Sequence, residues 1–353
     1  MSSFATSLTQ QFQLRLPLFL APMAGGPTTP ELVAAVNEAG GLGFLGVAYM
    51  KPSEIESTIQ RLRALSSRPF GVNLFIPSPD PILTREQIQN AVHATEKFRQ
   101  ELHLGEPHPQ PPYSENFDQQ FEVVLKNKPT TLSFTFGLLA KEYIQECKKQ
   151  KLHTIGTATT LEEAQMIADS GVDAIVLQGF EGGGHRGIFD TNVDDPNISA
   201  LELTKMCAAK IKLPLITAGG IMNGRGIADA IKAGASAAQL GTAFLACTEA
   251  GTSKPYRDIL LKNSPKITRL TRAFSGRLAR GIENRFMLEM QQHSDSILPW
   301  PAQNVFTRDL RKASAEQNSP DFLSLWAGTG VNSLRPMKAA DLIETLLSEL
   351  HNA

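Results

Sequence analysis

The chain has 353 residues, of which 42% are hydrophobic and 20% charged, and its formal net charge is −1; these values suit a globular protein with one large domain, or with one large and one small domain. The lack of charged blocks argues against a nucleic-acid track or a membrane-surface patch. Three scattered cysteines without a CxxC pair argue against disulfides and a zinc site, and the absence of a signal-peptide or transmembrane pattern leads us to expect a cytoplasmic protein.

Eight short apolar runs alternate with amphipathic helical stretches along the first 245 residues. Apolar runs bounded by glycine or polar residues are typical of parallel strands that are buried on both faces. Helix signals stand between several of the runs, because Thr29, Thr160 and Asn223 are suitable N-caps and Gly40 and Gly171 are suitable ends. We therefore predict strands at residues 18–21, 43–46, 70–74, 131–134, 152–155, 174–177, 215–217 and 237–240.

Eight units of strand followed by helix predict an α/β fold of the (β/α)₈ TIM-barrel type. The alternative is an open doubly wound sheet, which is disfavoured because no GxGxxG motif follows the first strand. Residues 77–116, which are rich in proline and contain a helical run at 85–102, indicate an insertion over the barrel mouth. Residues 246–330 are predicted to form a smaller lid domain for the substrate, inserted after strand eight. The barrel domain would then comprise residues 1–245 and 331–353.

The residues just past the predicted strands indicate the chemistry, since the active site of such a barrel lies at the C-terminal ends of its strands. Small residues and neutral amides dominate these positions and carboxylates are nearly absent, which argues against a divalent-metal site. Asn73 and Gln178 each carry an amide that can donate and accept hydrogen bonds. They could bind the imide-like edge of a flavin ring, or they could support a neighbouring loop.

Two glycine-containing pairs follow predicted strands seven and eight, Gly219-Gly220 and Gly241-Thr242. Glycines at these positions, opening onto a helix N-terminus, can bind a phosphate through backbone N–H groups. Either pair alone could merely form a tight turn. Their occurrence in both of the expected loops favours a ligand that carries a phosphate.

A glycine-rich loop follows predicted strand six, where residues 178–187 read Gln-Gly-Phe-Glu-Gly-Gly-Gly-His-Arg-Gly. Consecutive glycines allow a backbone to approach a ligand closely. His185 could be a general acid or base, a neutral hydrogen-bond donor or a solvated loop residue, and its location favours an active-site role. Arg186 could pair with an anionic substrate or lie on the surface. The cations within residues 271–281 could approach the pocket or belong to a solvated hairpin.

Several of these segments together resemble one enzyme family, the nitronate monooxygenases, formerly called 2-nitropropane dioxygenases, which are FMN-dependent barrel enzymes. The resemblance runs in order across nearly the whole chain, and the His-Arg-Gly and Arg-Ala-Phe-Ser-Gly-Arg elements are closest to the nitronate branch. The matching segments are residues 21–25, 71–74, 133–137, 178–187, 214–221, 223–226, 239–242, 271–277 and 284–286.

The resemblance implies an FMN enzyme that oxidises a small alkyl nitronate, such as propionate 3-nitronate, with O₂ to a carbonyl compound and nitrite, without reduced nicotinamide. It implies that His185 is the catalytic histidine, either as a donor that stabilises an anionic substrate or as a base that deprotonates a neutral nitroalkane. We expect no metal and see no signal for a particular oligomer. The predicted FMN contacts are Met23, Asn73, Gln178, Gly183, Gly220, Gln239, Leu240, Gly241 and Thr242.

The chain departs from the family pattern at three places, one of which is Leu138-Leu139, where a proline is expected nearby. Gly183 stands where relatives usually have alanine, which is conservative for the approach of a backbone. Thr329 stands where relatives tend to have glutamine, and we expect this change to alter the substrate pocket.

Other functions of related barrels are the alternatives. A flavin-dependent enoyl-ACP reductase has a similar barrel, but the chain shows no conspicuous basic stripe near the barrel mouth for an acidic carrier protein. An NAD(P)H:quinone reductase is a second alternative among related barrel enzymes. IMP dehydrogenase chemistry needs a cysteine nucleophile in the loop after strand six, where Cys147, Cys207 and Cys247 do not lie. A flavin-binding protein without catalytic activity would be recognised by unchanged behaviour of a His185→Asn variant.

Overall fold

Eight parallel strands close into a barrel in the computed structural model, which describes residues 4–353. The barrel order is β1-β2-β3-β4-β5-β6-β8-β9, and β9 pairs back to β1. The predicted TIM barrel and its eight strands are confirmed, and the open-sheet alternative is wrong. The strands are β1 (Leu18–Leu20), β2 (Leu42–Gly46), β3 (Gly71–Phe75), β4 (Thr131–Thr135), β5 (His153–Ala158), β6 (Ala174–Gln178), β7 (Gly184–His185), β8 (Leu215–Ala218), β9 (Ala237–Leu240), β10 (Thr268–Thr271) and β11 (Ala279–Ile282).

Helices surround the barrel, and the predicted N-caps begin three of them. The side chains of Thr29, Thr160 and Asn223 each accept a backbone N–H from the first turn of the following helix. No helix within residues 4–353 combines the length and the apolar character needed to cross a membrane. The helices are α1 (Ser7–Phe12), α2 (Pro30–Glu38), α3 (Pro52–Leu65), α4 (Arg85–Glu101), α5 (Phe117–Asn127), α6 (Lys141–Lys149), α7 (Leu161–Asp169), α8 (Ala200–Ala208), α9 (Gly224–Lys232), α10 (Lys254–Leu261), α11 (Arg285–Met290), α12 (Ala302–Phe306), α13 (Arg308–Glu316) and α14 (Ala339–His351).

The N-terminal end of the barrel is closed by α1. Phe12 is buried and packs edge-to-face on Phe19, which points into the barrel interior with Phe44. The side chain of Thr6 donates to the carbonyl of Ser236, just before β9, at 2.7 Å. Each buried apolar side chain of this kind, such as that of Phe12 or Phe19, contributes about 1.5–3 kcal/mol to stability. With this end filled, the space for a ligand lies at the C-terminal ends of the strands.

The two segments that interrupt the barrel pattern pack against each other. Phe98 of α4, in the insertion, is fully buried with Phe286 and Phe322 from the segment after β9, and the ring centroids of Phe98 and Phe286 are 5.2 Å apart. Both terminal nitrogens of Arg99 donate to Asp309 at 2.7 Å. The insertion and the later segment therefore share one hydrophobic cluster, and the division into a barrel domain and a lid domain stays a prediction.

A small antiparallel sheet connects the later segment to the glycine-rich loop. Its order is β10-β11-β7, with Ala279 of β11 opposite His185 of β7. The two residues of β7 belong to the loop that follows β6. This pairing holds the loop against the hairpin of β10 and β11, over the C-terminal end of the barrel.

Candidate active site

A cavity of about 640 Å³ lies at the C-terminal end of the barrel. Residues from the ends of β1, β3, β4, β6, β8 and β9 line it, together with α13 and residues 323–330. His185 and all of the predicted FMN contacts border this one cavity. These residues therefore lie around one cavity, and their roles stay predictions. The lining FMN candidates are Met23, Asn73, Gln178, Gly183, Gly220, Gln239, Leu240, Gly241 and Thr242.

The glycines of the loop after β6 serve different purposes. A Cβ on Gly183 would lie 2.5 Å from the backbone nitrogen of Gly328, so this glycine permits contact between two protein backbones. Gly184 has φ of +75°, and a Cβ there would meet open space. The expectation that the consecutive glycines let the backbone approach a ligand is therefore incomplete, because Gly183 is required by protein packing.

Gln178 and Arg186 together fix the shape of this loop. The Gln178 amide donates to the His185 carbonyl at 3.0 Å, and its oxygen accepts from Arg186 at 2.7 Å and from the Gly187 N–H at 2.8 Å. Arg186 is 1% exposed and forms an ion pair with Asp195 at 2.5 Å. Neither interpretation of Arg186 was correct, since it is neither on the surface nor on the cavity wall. Gln178 therefore borders the cavity, but its amide oxygen and one amide N–H are already used in hydrogen bonds within the loop.

His185 lies between a serine and a group of aromatic rings. Its Nε2 is 2.8 Å from the Oγ of Ser275, at the tip of the β10–β11 hairpin. Its ring centroid is 5.5 Å from that of Trp300 and 5.6 Å from that of Trp326. Burial, with the nearby Arg277 and Arg311 guanidinium groups, lowers the pKa of His185 to about 3. The ring borders the cavity but is enclosed by protein, and it is neutral near pH 7.

The hairpin that carries Ser275 is largely buried, so of the two alternatives for residues 271–281 the solvated hairpin was wrong. Arg277 is 3% exposed, donates to the carbonyl of Ile188, and lies 3.8 Å from the centroid of the Phe136 ring. Arg280 is also buried and donates to the carbonyl of Phe180 at 2.9 Å. These cations attach the hairpin to the loop after β6 and thereby set the surroundings of His185.

The glycine loops after β8 and β9 present unpaired backbone donors to the cavity. The N–H groups of Gly219, Gly220 and Gly241 donate to no acceptor within residues 4–353, and all three residues line the cavity. The α9 N-terminus offers fewer donors than expected, because the N–H of Gly224 donates to the Glu349 carboxylate at 2.9 Å and that of Gly226 to the Asn223 side chain at 2.8 Å. An anion at this position would therefore bind to the glycine N–H groups of the two loops.

Two neutral side chains complete the floor of the cavity. Asn73 is 2% exposed, and its amide nitrogen donates to the Ser133 hydroxyl at 2.9 Å. Gln239 borders the cavity at the end of β9. Within residues 4–353, no group of three or more histidine, cysteine, aspartate or glutamate side chains is arranged to hold a metal ion. The floor thus offers hydrogen-bonding groups without charge.

One wall of the cavity is cationic, which the sequence analysis missed. Arg308, Arg311 and Lys312 of α13 line it, beside Tyr49. Burial lowers the pKa of Arg311 to about 10, so it stays charged at neutral pH, and burial raises the pKa of Tyr49 to about 12. The statement that no basic stripe lies near the barrel mouth was wrong. The signal in the sequence was the spacing of three cations over one helical turn.

Position 329 does not contribute to the cavity wall. Thr329 is exposed, and the residues on either side of it, Gly328 and Gly330, line the cavity instead. Thr329 therefore does not line the cavity directly, and its effect on the substrate pocket stays a prediction.

Comparisons with known proteins agree on one family. The family model described as nitronate monooxygenase matches residues 6–349. A probable nitronate monooxygenase from Staphylococcus aureus (strain Newman) is 36% identical over 345 residues, which cover 98% of this chain and 97% of the relative. A probable nitronate monooxygenase from Staphylococcus haemolyticus is also 36% identical, over 349 residues, with the same coverage.

Two solved structures resemble the whole chain. A nitroalkane oxidase from Streptomyces ansochromogenes superposes with a TM-score of 0.91 at 38% identity, covering 98% of each chain. FabK from Thermotoga maritima superposes with a TM-score of 0.76 at 26% identity, covering 99% of this chain and 96% of its own. The similarity to the nitroalkane oxidase is thus greater in both fold and sequence.

Proposed function

The chain belongs to the nitronate monooxygenase family and is an oxidoreductase, and we propose that it oxidises alkyl nitronates with FMN and O₂ to carbonyl compounds and nitrite. One observation carries this proposal. One cavity is bordered by His185, by the cations of α13 and by the N–H groups of Gly219, Gly220 and Gly241, which donate to no acceptor in the described part of the chain. A phosphate-bearing cofactor and a small anionic substrate are the ligands that such a set of groups suits.

The residues present fit FMN. The glycine N–H groups of the loops after β8 and β9 would bind its phosphate, because they border the cavity and donate to no acceptor among the described residues. Asn73, Gln178 and Gln239 would bind the polar edge of its ring. Bound FMN supplies the electron acceptor, while the protein supplies orientation and electrostatics.

The wall opposite these loops suits a small substrate with negative charge. Arg311 stays charged at neutral pH and borders the cavity, so it would stabilise a nitronate. Phe75, Phe136 and Trp300 enclose His185 with apolar surface, which excludes water from the reacting groups. His185, held neutral, would contact the substrate at the carbon that bears the nitro group.

A flavin-dependent reductase remains the second candidate, because two observations favour it. FabK resembles the chain at 26% identity, and the cationic residues Arg308 and Lys312 are exposed at the cavity. An exposed cationic rim could attract an acidic carrier protein as well as a small anion. Reaction with a reduced nicotinamide distinguishes this candidate from the proposed one.

The proposal is tested first by the visible spectrum of the purified protein and by anaerobic mixing. We expect the two absorption bands of oxidised flavin, and bleaching of these bands by propionate 3-nitronate alone. Bleaching within seconds by NADH or NADPH, without bleaching by the nitronate, would support a reductase instead. A colourless protein that takes up no FMN would contradict both functions.

The role of His185 is tested by His185→Asn. We expect turnover of a neutral nitroalkane to fall roughly 100-fold while the flavin stays bound. His93→Asn is the matched control, because His93 is exposed on α4 and lies outside the cavity. Equal turnover of the two variants would remove His185 from the catalytic role.

A further inference from the structure

The hydroxyl of Ser275 has three partners, and together they account for its hydrogen-bonding capacity. Its Oγ lies 2.8 Å from Nε2 of His185, 3.1 Å from the carbonyl oxygen of Arg277 and 3.3 Å from the backbone nitrogen of Arg277. A serine hydroxyl has one proton to donate and two lone pairs that accept. Ser275 is 2% exposed, so water does not substitute for these partners.

The identities of the partners decide where the protons lie. The Arg277 carbonyl can only accept, so it takes the hydroxyl proton; the Arg277 N–H can only donate, so it occupies one lone pair. The remaining lone pair then faces His185 Nε2, which must carry a proton to donate. The opposite arrangement, in which the hydroxyl donates to Nε2, leaves the Arg277 carbonyl without this donor in a buried site.

Aromatic rings beside His185 oppose the rotation that would exchange its two ring nitrogens. Phe136 and Trp326 contact it, with centroids at 5.9 and 5.6 Å. The tip of the hairpin is fixed in turn, because Arg277 donates to the Ile188 carbonyl and stacks on Phe136. The Ser275 hydroxyl therefore meets Nε2 and not Nδ1.

We propose that Ser275 is a positioning residue that holds His185 as the Nε2–H tautomer and so leaves the lone pair of Nδ1 for the cavity. The proposal rests on the proposed function, which gives His185 its substrate contact. A neutral imidazole with its one proton on Nε2 accepts at Nδ1 and does not donate there. His185 is then a base toward a neutral nitroalkane, and it is not a donor to a nitronate.

The proton transfer that follows is balanced within the cavity. The α C–H bond of the nitroalkane breaks, its proton moves to Nδ1, and its electron pair spreads onto the nitro group as the nitronate forms. Arg311, which opposes positive charge on His185, stabilises the negative charge of the nitronate. Ser275 Oγ continues to accept from Nε2–H in the imidazolium. A preformed nitronate needs no such step.

The tautomer is measured directly by nitrogen NMR of the holoenzyme labelled with ¹⁵N-histidine. His185 signals are identified by their loss in His185→Asn. We expect a protonated Nε2 and an unprotonated Nδ1 at neutral pH in the wild-type protein. A protonated Nδ1 would overturn the proposal whatever the activity, and this spectrum does not depend on whether any Ser275 variant folds.

The consequence is measured with Ser275→Ala, assayed on nitroethane and on preformed ethyl nitronate. We expect mixed tautomers, and a fall in kcat/KM of about 10- to 100-fold for nitroethane but of only about twofold for the nitronate. Thr307→Val is the matched control, because the buried Thr307 hydroxyl donates to the adjacent Phe274 carbonyl without contacting His185. It should lower stability but leave the tautomer unchanged.

Two outcomes separate this proposal from the proposed function. If Ser275→Ala keeps the wild-type tautomer and the wild-type ratio of nitroethane to nitronate activity, the positioning role is wrong while the family activity stands. If instead the flavin of the wild-type enzyme is reduced by neither substrate, the proposed function fails, and the tautomer measured by NMR still decides the geometric part of the inference.

Discussion

At the scale of single residues, Gly183 gives a direct test of close backbone packing. A Cβ at this position would lie 2.5 Å from the nitrogen of Gly328 and 2.6 Å from the carbonyl carbon of Ala327, and neither backbone atom can move aside cheaply. We expect Gly183→Ala to lower the free energy of unfolding by about 1–3 kcal/mol, measured by urea titration. Gly105→Ala is the control, since a Cβ there meets nothing within 4 Å. Equal stability of the two variants would contradict the packing argument.

The low pKa of His185 predicts a contribution to acid sensitivity. The folded protein holds this pKa at about 3, whereas an unfolded histidine titrates near about 6.5. Between these values the unfolded chain binds a proton that the folded chain does not, so stability falls as the pH falls. As the pH falls through this window, we expect the free energy of unfolding to decrease faster for the wild type than for His185→Asn. The difference in slope should be up to about 1.4 kcal/mol per pH unit. Parallel curves of stability against pH would show that His185 titrates normally.

The charge of Arg311 predicts a preference for the ionised form of the substrate. We expect Arg311→Met to raise KM for ethyl nitronate roughly tenfold, because the variant loses a partly desolvated cation on the cavity wall. KM for neutral nitroethane, which has the same carbon skeleton, should change far less. Lys205→Met is the control, since Lys205 is exposed on α8, lies outside the cavity and has a charge that salt screens. A similar rise in KM for both substrates would indicate that the variant has lost local structure and not only a charge.

At the scale of elements, the position of the cationic helix α13 depends on the insertion. Arg99 of α4 is 3% exposed and donates twice to Asp309 of α13, so its removal leaves this carboxylate without its partner. We expect a double-mutant cycle of Arg99→Met and Asp309→Asn to give a coupling energy of about 1–3 kcal/mol in urea unfolding. The exposed pair of Lys126 and Glu56, which joins α5 to α3, should give less than about 1 kcal/mol. Equal coupling in the two pairs would mean that α13 is held by other contacts.

The elements of the barrel were predictable because their signals are local. The strands are short apolar runs buried on both faces, and β2 is buried at every residue. Thr29, Thr160 and Asn223 cap helices by bonds to N–H groups three residues away, which a sequence displays directly. The pairing of the two-residue strand β7 with β11 was not predictable, since it joins residues almost one hundred positions apart in the chain.

At the scale of the whole molecule, the two sides of the cavity differ in how far the sequence predicted them. The floor is made by strand ends, and the barrel topology alone brings Asn73, Gln178 and Gln239 to one rim. The cationic wall comes from α13, with Asn304 and residues 323–330 beside it, and these residues lie outside any strand of the barrel. The spacing of the α13 cations indicates one charged helix face, but its location at the cavity follows from tertiary packing of the insertion against the later segment, which the local pattern does not reveal.

Binding of the FMN phosphate at the proposed cofactor site should increase the free energy of unfolding of the whole protein. Its donors come from two loops, after β8 and after β9, so a bound phosphate would join two neighbouring units of the barrel. For apoprotein with FMN at 100 times its Kd, we expect the free energy of unfolding to rise by about 2.7 kcal/mol. Riboflavin at the same concentration carries the ring without the phosphate and should stabilise less.

A variant in the glycine loop tests whether the glycine N–H groups cause the difference in stabilisation between FMN and riboflavin. Gly220 has φ of +70°, and a Cβ there would lie 3.1 Å from the side chain of Glu181, so Gly220→Ala should displace this loop. We expect the advantage of FMN over riboflavin to shrink in Gly220→Ala, measured by urea unfolding with each ligand. Gly105→Ala, distant from any neighbour, should keep the full difference. If FMN and riboflavin stabilise the wild-type protein equally, the phosphate is not bound by these loops, and the donors of Gly219, Gly220 and Gly241 must serve another anion.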